Sequence, residues 1–243
     1  TPSGIKTGLA RFSDFSKPPE KNLVTPFNSK AMTLFPQKIN GKYAALLTAN
    51  TDLPPARICL AIFEKKEDIW SQIYWRKWYQ NFSDHIVPLQ RMNSDQLEVG
   101  APPILTKYGW LVIYAHIQHY SHPDQRIFGI EAVILDCDDP QKIIARTDYP
   151  IMKPVEAYEL KGIVPNIVFP SGAILENDTV SLYYGAADTN CSIASFPLND
   201  LLKEMRISSP IAIKVKKQLD APLQLSVLRH LRTAHRAFRK RLT

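Results

Sequence analysis

The feature that most constrains this chain is a repeat of about 67 residues. Three stretches share one pattern of polar starts, apolar strands and turns. They are "TLFPQKINGKYAALLTAN" (33–50), "VGAPPILTKYGWLVIYAHI" (99–117) and "IVFPSGAILENDTVSLYYGAAD" (167–188). Each is followed by another apolar stretch, "ARICLAIFEKKEDIW" (56–70), "RIFGIEAVILDCDDP" (126–140) and "CSIASFPLNDLL" (191–202). Pro36, Pro103 and Pro170 recur at a spacing of 67 residues. Each unit reads as a strand beginning near its proline, a polar turn (Asn40-Gly41, Tyr108-Gly109, Asn177-Asp178), and two further strands. A variable stretch after them has room for a fourth strand. A small antiparallel sheet cannot bury both faces alone, so repeated sheets must stack on one another. The spacing predicts a β-propeller, with a β-sandwich as the alternative. Prolines (19) outnumber glycines (9), as befits short strands and many turns rather than helices.

The repeat also speaks to the ends of the chain. The segment "GIKTGLARFSDF" (4–15) matches the third strand of a unit, with no first or second strand ahead of it. The expected architecture is all-β, with about three full blades plus part of another, over residues 1–217. The tail is different. Eleven Lys/Arg against Glu204 and Asp220 give +9 from Leu201 onward, and the remainder carries −2 of the total +7. Within residues 218–243, Leu228, Leu231, His235, Phe238 and Leu242 repeat at helical steps, with arginines between them. This predicts a basic amphipathic C-terminal helix that packs on its own propeller or on a second chain, with an anionic surface or nucleic acid as the alternative. The body shows no basic groove with interleaved aromatics, so no nucleic-acid partner is expected. No apolar run approaches twenty residues, so no transmembrane segment is expected. Cys59, Cys137 and Cys191 are too far apart for metal or redox spacing. They read as buried free thiols of a cytoplasmic protein.

In an antiparallel meander, the start of the first strand and the end of the second share one edge of the sheet. In a propeller with the first strand innermost, that edge is a channel mouth. Ser29-Lys30, Glu98-Val99-Gly100 and Pro165-Asn166 are expected there, with Thr48-Ala49-Asn50, Ala115 to Gln118 and Ala187-Asp188. Carboxylates, an amide, a lysine and an imidazole suit a polyhydroxylated ligand, whose hydroxyls both donate and accept. The candidate ligand contacts are Lys30, Asp188, Asn166, Glu98 and His116. Asp188 has a plainer reading as the start of a turn, "ADTN", and Lys30 and Glu98 as a solvated ion pair. His116, His119 and His122 are too irregularly spaced to build a metal site, so no metal is expected. No phosphate loop, nucleophile elbow or HExxH helix is present.

The motifs "LFPQKINGKY", "GAPPILTKYGWLVIY", "FGIEAVILDCDDPQKIIART", "GIVPNIVFPSGAI" and "LYYGAADT" resemble glycoside hydrolase family 130 from about Gly4 to Leu202. That family comprises inverting β-mannoside phosphorylases and β-mannosidases on a five-bladed β-propeller. The resemblance implies a mannose-containing oligosaccharide as ligand and inorganic phosphate as a possible co-substrate, with no other cofactor. It implies a lysine contacting phosphate or sugar at Lys30, and a sugar-binding aspartate at Asp188. It also exposes departures. The family's general acid lies in a Glu-Asp-Pro-Arg segment ahead of the region matching residue 4, and this chain has none, so no catalytic residue is assigned. A basic pair that helps to hold phosphate is replaced by Leu47 and Thr48. An arginine is replaced by Lys6, and an aspartate by Ala31. The expected function is action on β-mannosides by inverting phosphorolysis or hydrolysis, with missing parts supplied by a second polypeptide or copy. The alternative is a non-catalytic propeller that binds glycans or a protein.

Overall fold

The computed structural model describes residues 4–51 and 55–207. The helix expected within 218–243, and the end of the domain drawn at 217, lie outside the described residues. The described part is built from three antiparallel sheets and a two-stranded hairpin. The hairpin pairs β1 (Gly8–Arg11) with β2 (Glu20–Leu23). The first sheet orders β3 (Ser29–Leu34), β4 (Tyr43–Ala49) and β5 (Arg57–Phe63). A helix, α1 (Gln72–Gln80), follows it. The second sheet contains β6 (Gln96–Val99), β7 (Ile104–Thr106), β8 (Gly109–Gln118), β9 (Ile127–Leu135) and β10 (Ile143–Arg146). After a short helix, α2 (Ala157–Leu160), the third sheet orders β11 (Val168–Glu176), β12 (Thr179–Ala186) and β13 (Asn190–Pro197). Helix α3 (Leu198–Glu204) closes the described chain.

The sheets stack face to face because the middle strands of the first two are apolar on both faces and that of the third on one. On β4, Ala44 and Leu46 face a core shared with the second sheet, which adds Leu97, Val99, Trp110, Val112 and Tyr114. Ala45, Leu47 and Ala49 face the opposite way, toward Trp75 and Trp78 of α1. On β8, Leu111 and Ile113 turn away from Trp110 and Val112 to meet Val168, Val180, Leu182 and Tyr184 of the third sheet. Period-two alternation therefore sends successive side chains into two different cores. Gly100 marks how closely the sheets approach, since a Cβ there would lie 2.4 Å from the ring of Pro170.

The three-unit reading holds for the strands, with corrections in detail. Pro36 and Pro103 stand four residues before their turns, whereas Pro170 stands seven before Asn177. The prolines therefore do not mark equivalent places. Strand β3 begins at Ser29, well ahead of Pro36, and Pro170 lies inside β11. The second turn is Lys107-Tyr108, inside the Thr106↔Gly109 pair. Gly109 opens β8 at φ 131, where a Cβ would meet the Leu135 carbonyl oxygen at 2.3 Å. All three first strands are interrupted soon after they start: by a bulge between Lys30 and Thr33, by the break between β6 and β7, and by a bulge between Pro170 and Gly172.

Among the described residues, only the second sheet carries a further outer strand, β10. In the first, α1 takes up the variable stretch, and Ile86-Val87 returns to β5 through an isolated bridge at Cys59 and a Val87 N–H bond to the Ile58 carbonyl (2.9 Å). The segment 4–15 forms β1, which pairs with β2 and with no other strand among the described residues. The expectation of three buried thiols is wrong for two. Cys59 is buried, Cys137 is half-buried in the loop after β9, and Cys191 is exposed on the outer strand β13. Among the described residues, no helix is long and apolar enough to cross a membrane.

Candidate functional site

The shared edge expected from the meander is present in each sheet. Ser29 pairs with Ala49, Gln96 with Ile117, and Val168 with Ala186. Two candidates meet directly. The Lys30 ammonium lies 2.8 Å from the Glu98 carboxylate, with side-chain exposures of 39% and 7%. Lys30 pairs across the strand with Thr48, and the Thr48 hydroxyl accepts the Val99 N–H (2.9 Å). Three segments distant in sequence thus join where the first and second sheets meet.

Asn166 and Asp188 form a second pair of neighbours through their backbones. Asn166 is half-buried at φ 61, and its carbonyl accepts the Phe128 N–H (3.2 Å). It lines a cleft of about 290 Å³ with Arg126, Lys153 and Leu160. The turn after β12 carries Ala187 at φ 48 and Asp188 at φ 50. It is fastened to the segment bearing Asn166, because Ala187 N–H donates to the Ile167 carbonyl (3.0 Å) and Val164 N–H to the Ala187 carbonyl (3.3 Å). Asp188 is exposed, and its carboxylate makes no hydrogen bond or ion pair among the described residues. It is both a turn residue and a carboxylate open to a ligand. No hydrogen bond or ion pair among the described residues joins it to the Lys30–Glu98 pair.

His116 is packed inside the sheet rather than at its open edge. It is buried, 2% exposed, between two carboxylates. Its Nδ1 lies 2.8 Å from Glu131 Oε1 and its Nε2 lies 3.2 Å from Asp95 Oδ1, the latter within ion-pair distance but off the angle of a hydrogen bond. The reason is the alternation along β8, which turns position 116 into the packed sheet rather than out at its edge. Glu131 also accepts the Tyr114 hydroxyl (2.8 Å) and two N–H groups of Arg91 (3.2 Å each). Burial pushes the Glu131 carboxyl up, but the bonds from His116, Arg91 and Tyr114 prevail and hold it at about 2. Burial pulls His116 down, but the hydrogen bond to Glu131 and the charges of Glu131 and Asp95 prevail and raise it.

Sequence reasoning missed Glu131, Asp95 and Arg91. One signal was available: Glu131 stands alone inside the apolar strand "FGIEAVIL", where a charge requires partners. A further buried carboxylate, Glu159, was also missed. It accepts the Tyr184 hydroxyl (2.9 Å) and the N–H groups of Val155 (2.8 Å) and Glu156 (3.0 Å), fixing the segment beside the cleft.

Residues 9–207 match the family model described as beta-1,4-mannooligosaccharide phosphorylase, of glycoside hydrolase family 130. The chain is 34% identical over 185 residues to a 1,2-beta-oligomannan phosphorylase of Thermoanaerobacter sp., covering 74% of this chain and 55% of that protein. It is 31% identical over 212 residues to a beta-1,2-mannobiose phosphorylase of Listeria innocua, covering 85% and 54%. The solved structure of the beta-1,2-mannobiose phosphorylase from Listeria innocua with beta-1,2-mannobiose superposes with a TM-score of 0.68. There the identity is 28%, over 84% of this chain and 54% of that one. The chain spans about half the length of the curated relatives it matches.

Proposed function

Because this chain belongs to glycoside hydrolase family 130, we propose that it binds β-linked mannosides at the edge carrying Lys30, Glu98, Asn166 and Asp188. We propose further that it takes part in their inverting cleavage as part of a five-bladed propeller. The observation that carries this reading is the Lys30–Glu98 pair, which unites two repeat units at the expected edge. Glu98 holds the ammonium in place, and the ammonium keeps two donors for a sugar hydroxyl or a phosphate oxygen. Asp188 offers an unengaged charged acceptor. Inversion needs an acid on the leaving oxygen and a nucleophile on the opposite face of the ring. In this proposal the acid comes from outside residues 1–243, and inorganic phosphate or water attacks.

A second reading, a glycan-binding propeller without catalysis, is favoured by one observation. Leu47 and Thr48 are fully buried, and Thr48 is committed to the Val99 N–H. They supply none of the charge-assisted donors that a phosphate dianion requires.

Calorimetric titration with β-1,2-mannobiose, with and without inorganic phosphate, tests the site. Asp188→Asn is the suitable variant, because Asn tolerates positive φ and only the charge changes. Loss of a charged acceptor, worth about 1.5–3 kcal/mol, is expected to weaken binding roughly ten- to a hundredfold. Unchanged affinity in Asp188→Asn, or no binding of any β-mannoside by the unmodified chain, overturns the proposal.

A further inference from the structure

The cluster around His116 fills the middle of the second sheet, away from its open edge. We infer that His116 is a positioning residue: held between Asp95 and Glu131, it fixes strand β6 and through it the Lys30–Glu98 pair. The inference deepens the mannoside reading and rests on it for the function of that pair.

The argument starts from β6, which has only four residues and ends at the break before β7. Its beginning is anchored by Asp95. One oxygen of that carboxylate accepts the N–H groups of Arg91 and Met92 (2.8 Å each), and the Asp95 carbonyl accepts Arg57 Nη1 (2.8 Å). The other oxygen faces His116 Nε2. Glu131, on β9, faces Nδ1 of the same ring. His116 therefore links the entry of β6 to β9 from the strand between them. Glu98 follows Asp95 by three residues and pairs with Ala115, next to His116.

Proton count makes the link conditional. An imidazolium has two N–H donors and serves both carboxylates, whereas a neutral imidazole has one and presents a lone pair to the other. Glu131 has the shorter, aligned contact, so the contact with Asp95 is the one that fails. The groups facing the ring are Asp95 and Glu131. Behind them stand Arg91, Tyr114 and Arg57, with Arg146 and Asp148 acting at longer range on Tyr114 and Arg91. With His116 protonated, Arg91 and His116 balance Asp95 and Glu131. The ring's proton affinity is raised in the fold, so the anchoring is complete below the ordinary histidine value. It is lost as pH rises through the higher folded value.

Amide hydrogen exchange of residues 96–99, corrected for intrinsic rates, tests this from about pH 6 to about pH 9, the range spanning an ordinary and a raised histidine. In the unmodified chain, protection is expected to fall by up to about tenfold per pH step between the ordinary histidine value and the raised folded one, and to level off above it, as one linked proton requires. His116→Gln is expected to lower that protection and remove its pH dependence, with residues 179–186 of the third sheet unchanged. Should His116→Gln fail to fold, Glu131→Gln serves, and the fall is expected to end at lower pH, because the folded value of His116 loses the support of Glu131. Affinity for β-1,2-mannobiose is expected to follow the same curve. Protection at 96–99 that ignores pH in the unmodified chain overturns the inference. So does unchanged protection in His116→Gln, or mannobiose affinity that holds constant while protection falls. A chain that binds no mannobiose at any pH overturns the mannoside reading, and the exchange data then decide the anchoring alone.

Discussion

Lys30 and Glu98 are the residues that the repeat brought into view, and their environments are unequal. The Glu98 side chain is 7% exposed, while that of Lys30 is 39% exposed. Removing the lysine strands a carboxylate in a packed seam. Removing the charge of Glu98 merely frees an ammonium that water can reach. Lys30→Met is therefore expected to cost about 1–3 kcal/mol, Glu98→Gln less, and the double variant less than their sum. Urea denaturation of the four proteins checks this. Additive losses would mean that the pair contributes nothing as a pair. Other residue-level features had no sequence signal. Ala31 sits at φ 50 beside the β3 bulge, a conformation that normally selects Gly, Asn or Asp. Asp188 at φ 50 belongs to a residue type that tolerates it, which is why both the turn reading and the ligand reading of "GAAD" describe the same residue.

Elements were legible where one physical demand dominated. Strands β4 and β8 are apolar along most of their length, β12 alternates buried apolar with more exposed residues, and the turns "NG" and "ND" delimit two of them, so their existence followed from the sequence. Their inner partners were harder, because bulges decouple chain position from register. The even spacing of three prolines thus concealed a three-residue difference in the third unit. Helix α1 was missed because the stretch after β5 was reserved for a fourth strand. Its marks were present: the Ser71 hydroxyl caps the Tyr74 N–H, and Trp75 and Trp78 share one face. Trp75 is fully buried against Phe63 and Phe27, and its indole N–H donates to the Ile69 carbonyl (2.8 Å). In place of a strand, this helix covers the face of β4 that carries Leu47. Trp75→Ala is expected to cost about 3–5 kcal/mol in urea denaturation. A loss below about 1 kcal/mol, the level of a surface substitution, would show that the helix is an appendage rather than part of the core.

At the scale of the molecule, the second sheet is covered on both faces by the other two, and its centre holds charge. The stacking was legible because repeated two-faced apolar strands have few other ways to be buried. The charge was not, because its members, Arg91, Asp95, Tyr114, His116 and Glu131, come from the loop before β6, from β8 and from β9, which meet only once the sheets are formed. This arrangement makes acid stability a property of the interior. Glu131 has an ordinary value near 4.5 when unfolded and about 2 in the fold. A lowered carboxyl contributes stability that is present above the unfolded value and is lost as pH falls through the folded one. The drop corresponds to about 3 kcal/mol at roughly 1.4 kcal/mol per pH step, an order-of-magnitude upper figure for a group this buried. Asp95 is shifted in the same direction: burial raises it, but the N–H groups of Met92 and Arg91 and the charge of His116 bring it below its usual value. The loss in acid should therefore exceed that of Glu131 alone. The melting temperature is expected to fall steadily as pH is taken from about 4.5 toward 2. Glu131→Gln should begin less stable at neutral pH, because His116 and Arg91 lose their counter-charge, and should then fall less steeply in acid. An acid limb of equal depth in the variant and the unmodified chain would locate the sensitive carboxylates elsewhere, and the charged centre of the second sheet would not govern stability.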